Sequence, residues 1–158
     1  MHPLMEIGVE IIALVKLGTN ISKNRWPDEP VDFRQRFVLR TMREEGPMTL
    51  SGLARSRHVT RQHARKTVQA ILKSGFIMEK PNPARKRSML IGLTPEGLSY
   101  INRIDTEAGE FLELIDSQMK PQISHTEITT VLRVLRQSRS RFETWLLNKE
   151  LETDKQLG

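Results

Sequence analysis

The chain has 158 residues, with 25 Lys plus Arg against 19 Asp plus Glu, a formal net charge of +6 and 37% hydrophobic residues. That length fits one domain, or one small domain with helical extensions, and the apolar share is large enough for a core, which excludes wholesale disorder. Cysteine is absent, which excludes disulfides, thiolate catalysis and Cys-based zinc sites.

From about residue 4 to 23, Leu4, Ile7, Ile11, Leu14, Val15 and Ile21 recur at helical spacing, and Val9, Ile12 and Leu17 widen the stripe. This is more apolar surface than one helix of a small domain needs to bury, so either a partner subunit or a core is expected to cover it. Glu6, Glu10 and Lys16 interrupt the run, and there is no basic leader or small-residue cleavage site. Neither a signal peptide nor a membrane span is expected, and the expected location is the cytoplasm.

Trp26-Pro27-Asp28-Glu29-Pro30 is a loop. Asp32 and Gln35 have the spacing of a capping box, and Phe33, Phe37, Val38 and Met42 give the helix after them an inner stripe that Gly46-Pro47 ends. Thr49 caps a short helix carrying Leu50, Leu53 and Ala54, and Arg57-His58-Val59 turns the chain into a second helix. That helix has Thr60 as N-cap and Gly75 as its stop. At about 100° per residue, Ala64, Val68, Ile71 and Leu72 share one side, while Gln62, Arg65, Lys66, Gln69 and Lys73 share the other. Two short helices joined by a tight turn, the second with a polar outer face, is the helix-turn-helix layout. Arg and Lys suit guanine or phosphate, and Gln suits adenine.

After Gly75 the period changes. Phe76-Ile77-Met78 leads out, Asn82-Pro83-Ala84-Arg85-Lys86-Arg87 makes a basic tip, and Ser88 to Leu93 returns as a strand. Three adjacent cations at a hairpin tip repel one another, but are favoured near phosphates or in a narrow minor groove. Thr94 caps the next helix with Pro95 in its first turn, and apolar spacing from Leu98 to Ile115 carries it to about Met119. Ser124 and Glu127 form a capping box for a last helix expected to run to about Glu152, with Ile128, Leu132, Leu135, Phe142 and Leu146 on its apolar side.

Three segments follow from this order: residues 1–31 as an N-terminal dimerisation helix and loop, 32–94 as a winged helix-turn-helix DNA-binding domain, and 95–158 as C-terminal dimerisation helices. The expected fold is mainly α, with a two-stranded wing, and the long flanking helices form a dimerisation platform. Charge supports the division. From Thr49 to Thr94 there are ten basic residues and one acid, Glu79, a net +9, whereas the rest of the chain sums to −3. An anionic partner for the middle alone is implied. The candidate DNA-binding set is Thr60, Arg61, Gln62, Arg65, Lys66 and Gln69 on the helix, with Arg85, Lys86 and Arg87 on the wing.

An enzyme is not expected. His2, His58, His63 and His125 are scattered, and there is no nucleophile motif, glycine-rich phosphate loop or paired carboxylate set. His58 and His63 straddle the turn, where hydrogen-bonded or solvated histidines are expected rather than a metal pair. No metal and no cofactor are called for. The alternative is a winged helix used for protein contacts, such as an antirepressor or adaptor that does not itself bind DNA; it leaves the cationic wing without a purpose.

The middle of the chain resembles the winged helix-turn-helix of the MarR family of bacterial and archaeal transcription regulators. Leu53-Ala54, Thr60-Arg61-Gln62, the exit Leu72, Gly75 and Ile77, the wing Arg87, and Leu93-Thr94 followed by Gly97 carry the resemblance over roughly residues 49 to 97. The family usually has Asp-x-Arg in the wing; here Arg85 stands at the aspartate position, so an extra cation replaces the carboxylate that would hold the arginine. The resemblance implies a homodimer joined through the first and last two helices, acting as a transcription regulator, with repression the expected outcome, on a near-palindromic site. Gln62, Arg65 and Lys66 would face base edges, Arg61 would lie near phosphate or base, and Arg85, Lys86 and Arg87 would reach the minor groove or its phosphates. It also implies a small-molecule effector, since members are often released from DNA by small, frequently phenolic, ligands; the sequence names no residue for that pocket.

Overall fold

The computed structural model describes residues 2–85 and 87–156; for residues 147, 148 and 150–156 it describes the backbone alone. The chain is mainly helical, with a single two-stranded sheet among the described residues. It divides into two compact units, residues 1–108 and 109–158.

In the first unit, α1 (Pro3–Arg25) is followed by α2 (Phe33–Glu45), α3 (Leu50–Ser56), α4 (Arg61–Leu72), the strands β1 (Ile77–Pro81) and β2 (Met89–Leu93), and the start of α5 (Pro95–Gln118). Each helix start has a local chemical cause. The Asp32 carboxylate accepts from the Gln35 amide while the Gln35 side chain accepts from the Asp32 amide, both at 2.8 Å, which satisfies two donors that a helix start leaves free. Thr49 Oγ1 accepts from Gly52 N at 3.0 Å, Thr60 Oγ1 from His63 N at 3.1 Å, and Thr94 Oγ1 from Gly97 N at 3.0 Å.

α4 stops at Leu72, a turn before the expected Gly75. Ser74 N and Gly75 N bond back to the carbonyls of Ile71 and Leu72, so the last turn tightens, and Gly75 takes the left-handed conformation at φ 74°. The chain then enters β1, which pairs antiparallel with β2, with Ile77 opposite Leu93 and Glu79 opposite Ile91. Met48 adds a bridge to Ile91 outside the named strands, tying the segment before α3 to the sheet through two backbone bonds.

The core lies where these elements converge. Val31, Leu39, Leu53, Ile71, Ile101 and Ile104 are fully buried there. α5 joins it through a close backbone approach: Thr94 N donates to Phe76 O at 3.0 Å and Thr94 Oγ1 to Gly75 O at 2.8 Å, and a Cβ on Gly97 would lie 2.0 Å from Phe76 O. Only glycine fits there, which gives the Leu-Thr-x-x-Gly spacing a physical cause. An ionic seam reinforces the join, as Arg40 and Arg43 of α2 both pair with Asp105 of α5.

The second unit holds the end of α5 and α6 (His125–Gln156). The expected capping box forms: Ser124 N donates to Glu127 Oε2 at 2.8 Å, and Glu127 N to Ser124 Oγ at 3.3 Å. The helix backbone runs about one turn past the expected end. Among the described residues, no helix is long and apolar enough to cross a membrane.

Candidate nucleic-acid interface

α4 presents the face that its sequence pattern implied. Ala64, Val68 and Ile71 are buried, while Arg61, Gln62, Arg65, Lys66 and Gln69 are exposed. Thr60 is exposed too, but its hydroxyl is already engaged as the N-cap.

Beside α4 the wing completes a cleft of about 430 Å³. Arg61, Arg65 and Gln69 line it from the helix, and Arg85 and Arg87 from the wing. Gln62 and Lys66 do not line the cleft and stand on the outer side of α4. Lys86 lies outside the described residues. Arg55 of α3 also lines the cleft and was not among the candidates singled out from the sequence. The signal for it was present: with Leu53 and Ala54 buried, Ser51 and Arg55 must take the exposed side of that helix. Among the described residues, none of the five cleft arginines makes an ion pair, so their charge is available to an outside anion.

The hairpin tip holds its shape without a carboxylate. Asn82 Oδ1 accepts from Ala84 N at 2.9 Å, and Asn82 Nδ2 donates to Ser88 Oγ at 2.9 Å. Ser88 Oγ donates in turn to Arg85 O at 3.1 Å, and backbone bonds join Asn82 N to Ser88 O and Ser88 N to Arg85 O. A neutral clasp therefore closes the loop, and the Arg85 and Arg87 side chains stay exposed. This answers the absence of aspartate at position 85: the tip is ordered by Asn82 and Ser88, and both arginines remain unpaired among the described residues.

Residues 34–89 match the sequence profile of the MarR family. These residues form a MarR family domain. The likeness in fold extends well beyond them. Staphylococcus aureus MarR in complex with salicylate and kanamycin is 18% identical, with a TM-score of 0.71 over 87% of this chain and 91% of that one. A cysteine-to-serine mutant of E. coli MarR complexed with operator DNA is 18% identical, with a TM-score of 0.69 over 86% and 95%. Bordetella bronchiseptica BpsR, described with regulation of its DNA binding by 6-hydroxynicotinic acid, is 17% identical, with a TM-score of 0.67 over 84% and 92%. No curated protein sequence matches the chain.

Within the first unit, the MarR domain and α1 also enclose a second cavity of about 430 Å³, lined by Val15 of α1, Phe37 and Arg34 of α2, Arg57 of α3, and His63 and Thr67 of α4 among others. Its wall is mostly apolar. The Arg57 guanidinium lies 5.6 Å from the centre of the Phe37 ring; burial lowers its pKa, and the Glu45 carboxylate opposes that shift. Neither His58 nor His63 belongs to a metal cluster, and no group of three or more candidate ligands is brought together among the described residues.

Proposed function

We propose that this chain is a sequence-specific, DNA-binding transcription regulator that acts as a homodimer and represses from a near-palindromic operator. The observation that carries this reading is the arginine cleft between α4 and the wing, five guanidinium groups with no ion pair among the described residues, and Gln69 among them. A duplex backbone supplies regularly spaced phosphates to such a cleft, while the outer side of α4, with Gln62 and Lys66, enters the major groove. Arg65 and Gln62 would read base edges; Arg55, Arg61, Arg85 and Arg87 would hold phosphates, the last two at or in the minor groove.

The dimer rests on unburied apolar surface. Leu4, Met5, Val9, Ile12, Leu14 and Leu17 of α1 are between 44% and 65% exposed, and Val131, Phe142 and Trp145 of α6 are also exposed. A monomer rarely leaves so much large apolar surface in water, and a second copy covering α1, α5 and α6 would bury it. The apolar cavity beside α4, with Arg34 and Arg57 in its wall, suits a small aromatic anion as effector. This agrees with the salicylate and 6-hydroxynicotinic acid named with two of the similar structures.

The test is selection of duplexes from a random pool by the purified full chain, with sedimentation run in parallel. Enrichment of a two-fold symmetric motif and a dimer mass are expected. A monomer that enriches no motif, even in dilute buffer, would refute the reading.

A further inference from the structure

We infer that the arginine cleft is also a small-molecule site, taking a free oligophosphate that displaces DNA from it. The displacement rests on the DNA-binding reading proposed above; the binding itself does not.

Charge sets the class of ligand. Arg55 comes from α3, Arg61 and Arg65 from α4, and Arg85 and Arg87 from the wing, so three elements bring cations to one void. Glu79 is the one acid in its wall, and among the described residues it pairs with none of the five. Five arginines against one carboxylate leave the cleft a net positive charge of four. Like charges around one void repel one another, so an anion that enters relieves this repulsion as well as gaining its own attraction. A chain of three phosphates carries about four negative charges near neutral pH, one on each inner phosphate and −1.5 to −2 on a terminal one. A single phosphate or carboxylate meets only part of the cleft's charge.

Shape narrows the class further. The cleft measures about 430 Å³, inside the range of about 300–1,000 Å³ usual for small-molecule sites. Guanidinium groups grip phosphate oxygens in pairs, and Gln69 adds an amide donor to the wall. A duplex strand brings its phosphates in single file to the edges of such a cleft, whereas a free oligophosphate carries them on one compact group. Val68 and Ile91, both buried, line the cleft with Leu72 and Met89, so it has an apolar wall as well as a cationic one. That wall offers a surface to a ring attached to the phosphate chain, which favours a nucleoside triphosphate over the inorganic chain.

The experiment is isothermal titration calorimetry of the full chain, without DNA or magnesium, against adenosine triphosphate, inorganic triphosphate and sulfate at matched ionic strength. Both triphosphates are expected to saturate one site per subunit, and sulfate to saturate none. Tighter binding of adenosine triphosphate assigns the apolar wall to the base, and equal binding assigns the site to the phosphate chain alone; either supports the site. Arg55→Gln on one wall and Arg87→Gln on the other should each weaken triphosphate by about ten-fold or more. Lys66→Gln removes the same charge from the outer side of α4, and should weaken duplex binding while keeping the triphosphate affinity. In anisotropy titrations at constant ionic strength, triphosphate at ten times its Kd should lower the apparent duplex affinity about eleven-fold for each cleft that must be vacated. Heat no greater than that of sulfate, equal losses in the cleft and outer-side variants, or saturation that leaves duplex affinity unchanged would each overturn the inference. A chain that binds triphosphate in this pattern but no duplex keeps the site and refutes the DNA-binding reading; one that binds duplex but no triphosphate refutes the inference alone. Thermal melting checks that the variants, all at exposed positions, keep the fold.

Discussion

The salt response of DNA binding can be worked from the cleft. Arg55, Arg61, Arg85 and Arg87 are its phosphate-facing cations in the proposed geometry, four in each subunit. If each neutralises one phosphate, a dimer releases counterions from about eight, and log K falls against log[salt] with a slope of about −7. Affinity then drops roughly ten-thousand-fold between 50 and 200 mM salt. Replacing Arg85 and Arg87 together with Ala removes half of those contacts and should bring the slope to about −3.6, weakening selected and scrambled duplexes alike. The Asn82–Ser88 clasp uses none of the arginine side chains, so the hairpin should keep its shape in the double variant. The assay is fluorescence anisotropy of a labelled duplex titrated at several salt concentrations, with circular dichroism to check the fold. A slope unchanged by the double substitution would show that the wing does not touch the backbone, and a wild-type slope near zero would favour the adaptor reading.

Three further outcomes are expected. Arg65→Ala or Gln62→Ala should cost roughly 1–3 kcal/mol on the selected duplex, as measured by competition; an equal loss on scrambled DNA would show that these residues hold phosphate instead. Gly97→Ala should lower the urea midpoint, because a clash with backbone sits near the upper end of overpacking costs, about 3 kcal/mol, and the helix-propensity gain of about 1 kcal/mol offsets only part; a midpoint at or above wild type would contradict the close approach to Phe76 O. Burial alone would raise the Asp105 pKa, but Arg40 and Arg43 more than reverse this and hold it below the ordinary carboxylate value. A depressed folded-state pKa adds stability above the unfolded value that is lost as pH falls through the folded one. Asp105→Asn should therefore destabilise the protein by about 1–2 kcal/mol at neutral pH, with the difference from wild type closing in acid below the ordinary aspartate range; a difference that persists at low pH would assign the loss to packing instead.

Much of this fold could be read from local chemistry, because caps and periods are local. Asp32 with Gln35, Thr49, Thr60, Thr94, and Ser124 with Glu127 each make the bond that their spacing implied. What escaped is chemistry that depends on distant segments meeting. Arg55 counts in the sequence only toward the charge of the middle segment, and its place in a cleft depends on the wing folding beside α3 and α4. Asn82 and Ser88 are ordinary turn residues, and only the folded tip joins them across the loop. The Met48 bridge to Ile91 consists of a single residue pair, too short to have a period.

The same distinction bears on how recognition is divided between the two arms of the cleft. Residues on α4 are placed by helical period, so Gln62, Arg65, Lys66 and Gln69 share a face whatever the wing does. The wing cations are placed by a hairpin whose inner edge is fixed at Ile77, Ile91 and Leu93 in the core, and whose outer edge is fixed by the neutral clasp. Because that clasp contains no ion pair, salt would weaken the proposed attraction of Arg85 and Arg87 for DNA without loosening the loop that carries them. A wing held by a carboxylate would lose both together. Breaking the clasp with Asn82→Ala should therefore lower affinity at every salt concentration while leaving the slope close to wild type, since the cations remain but are less well placed. Anisotropy titrations on the selected duplex would measure it, and a slope that flattened as in the arginine double variant would mean that Asn82 carries part of the backbone contact itself.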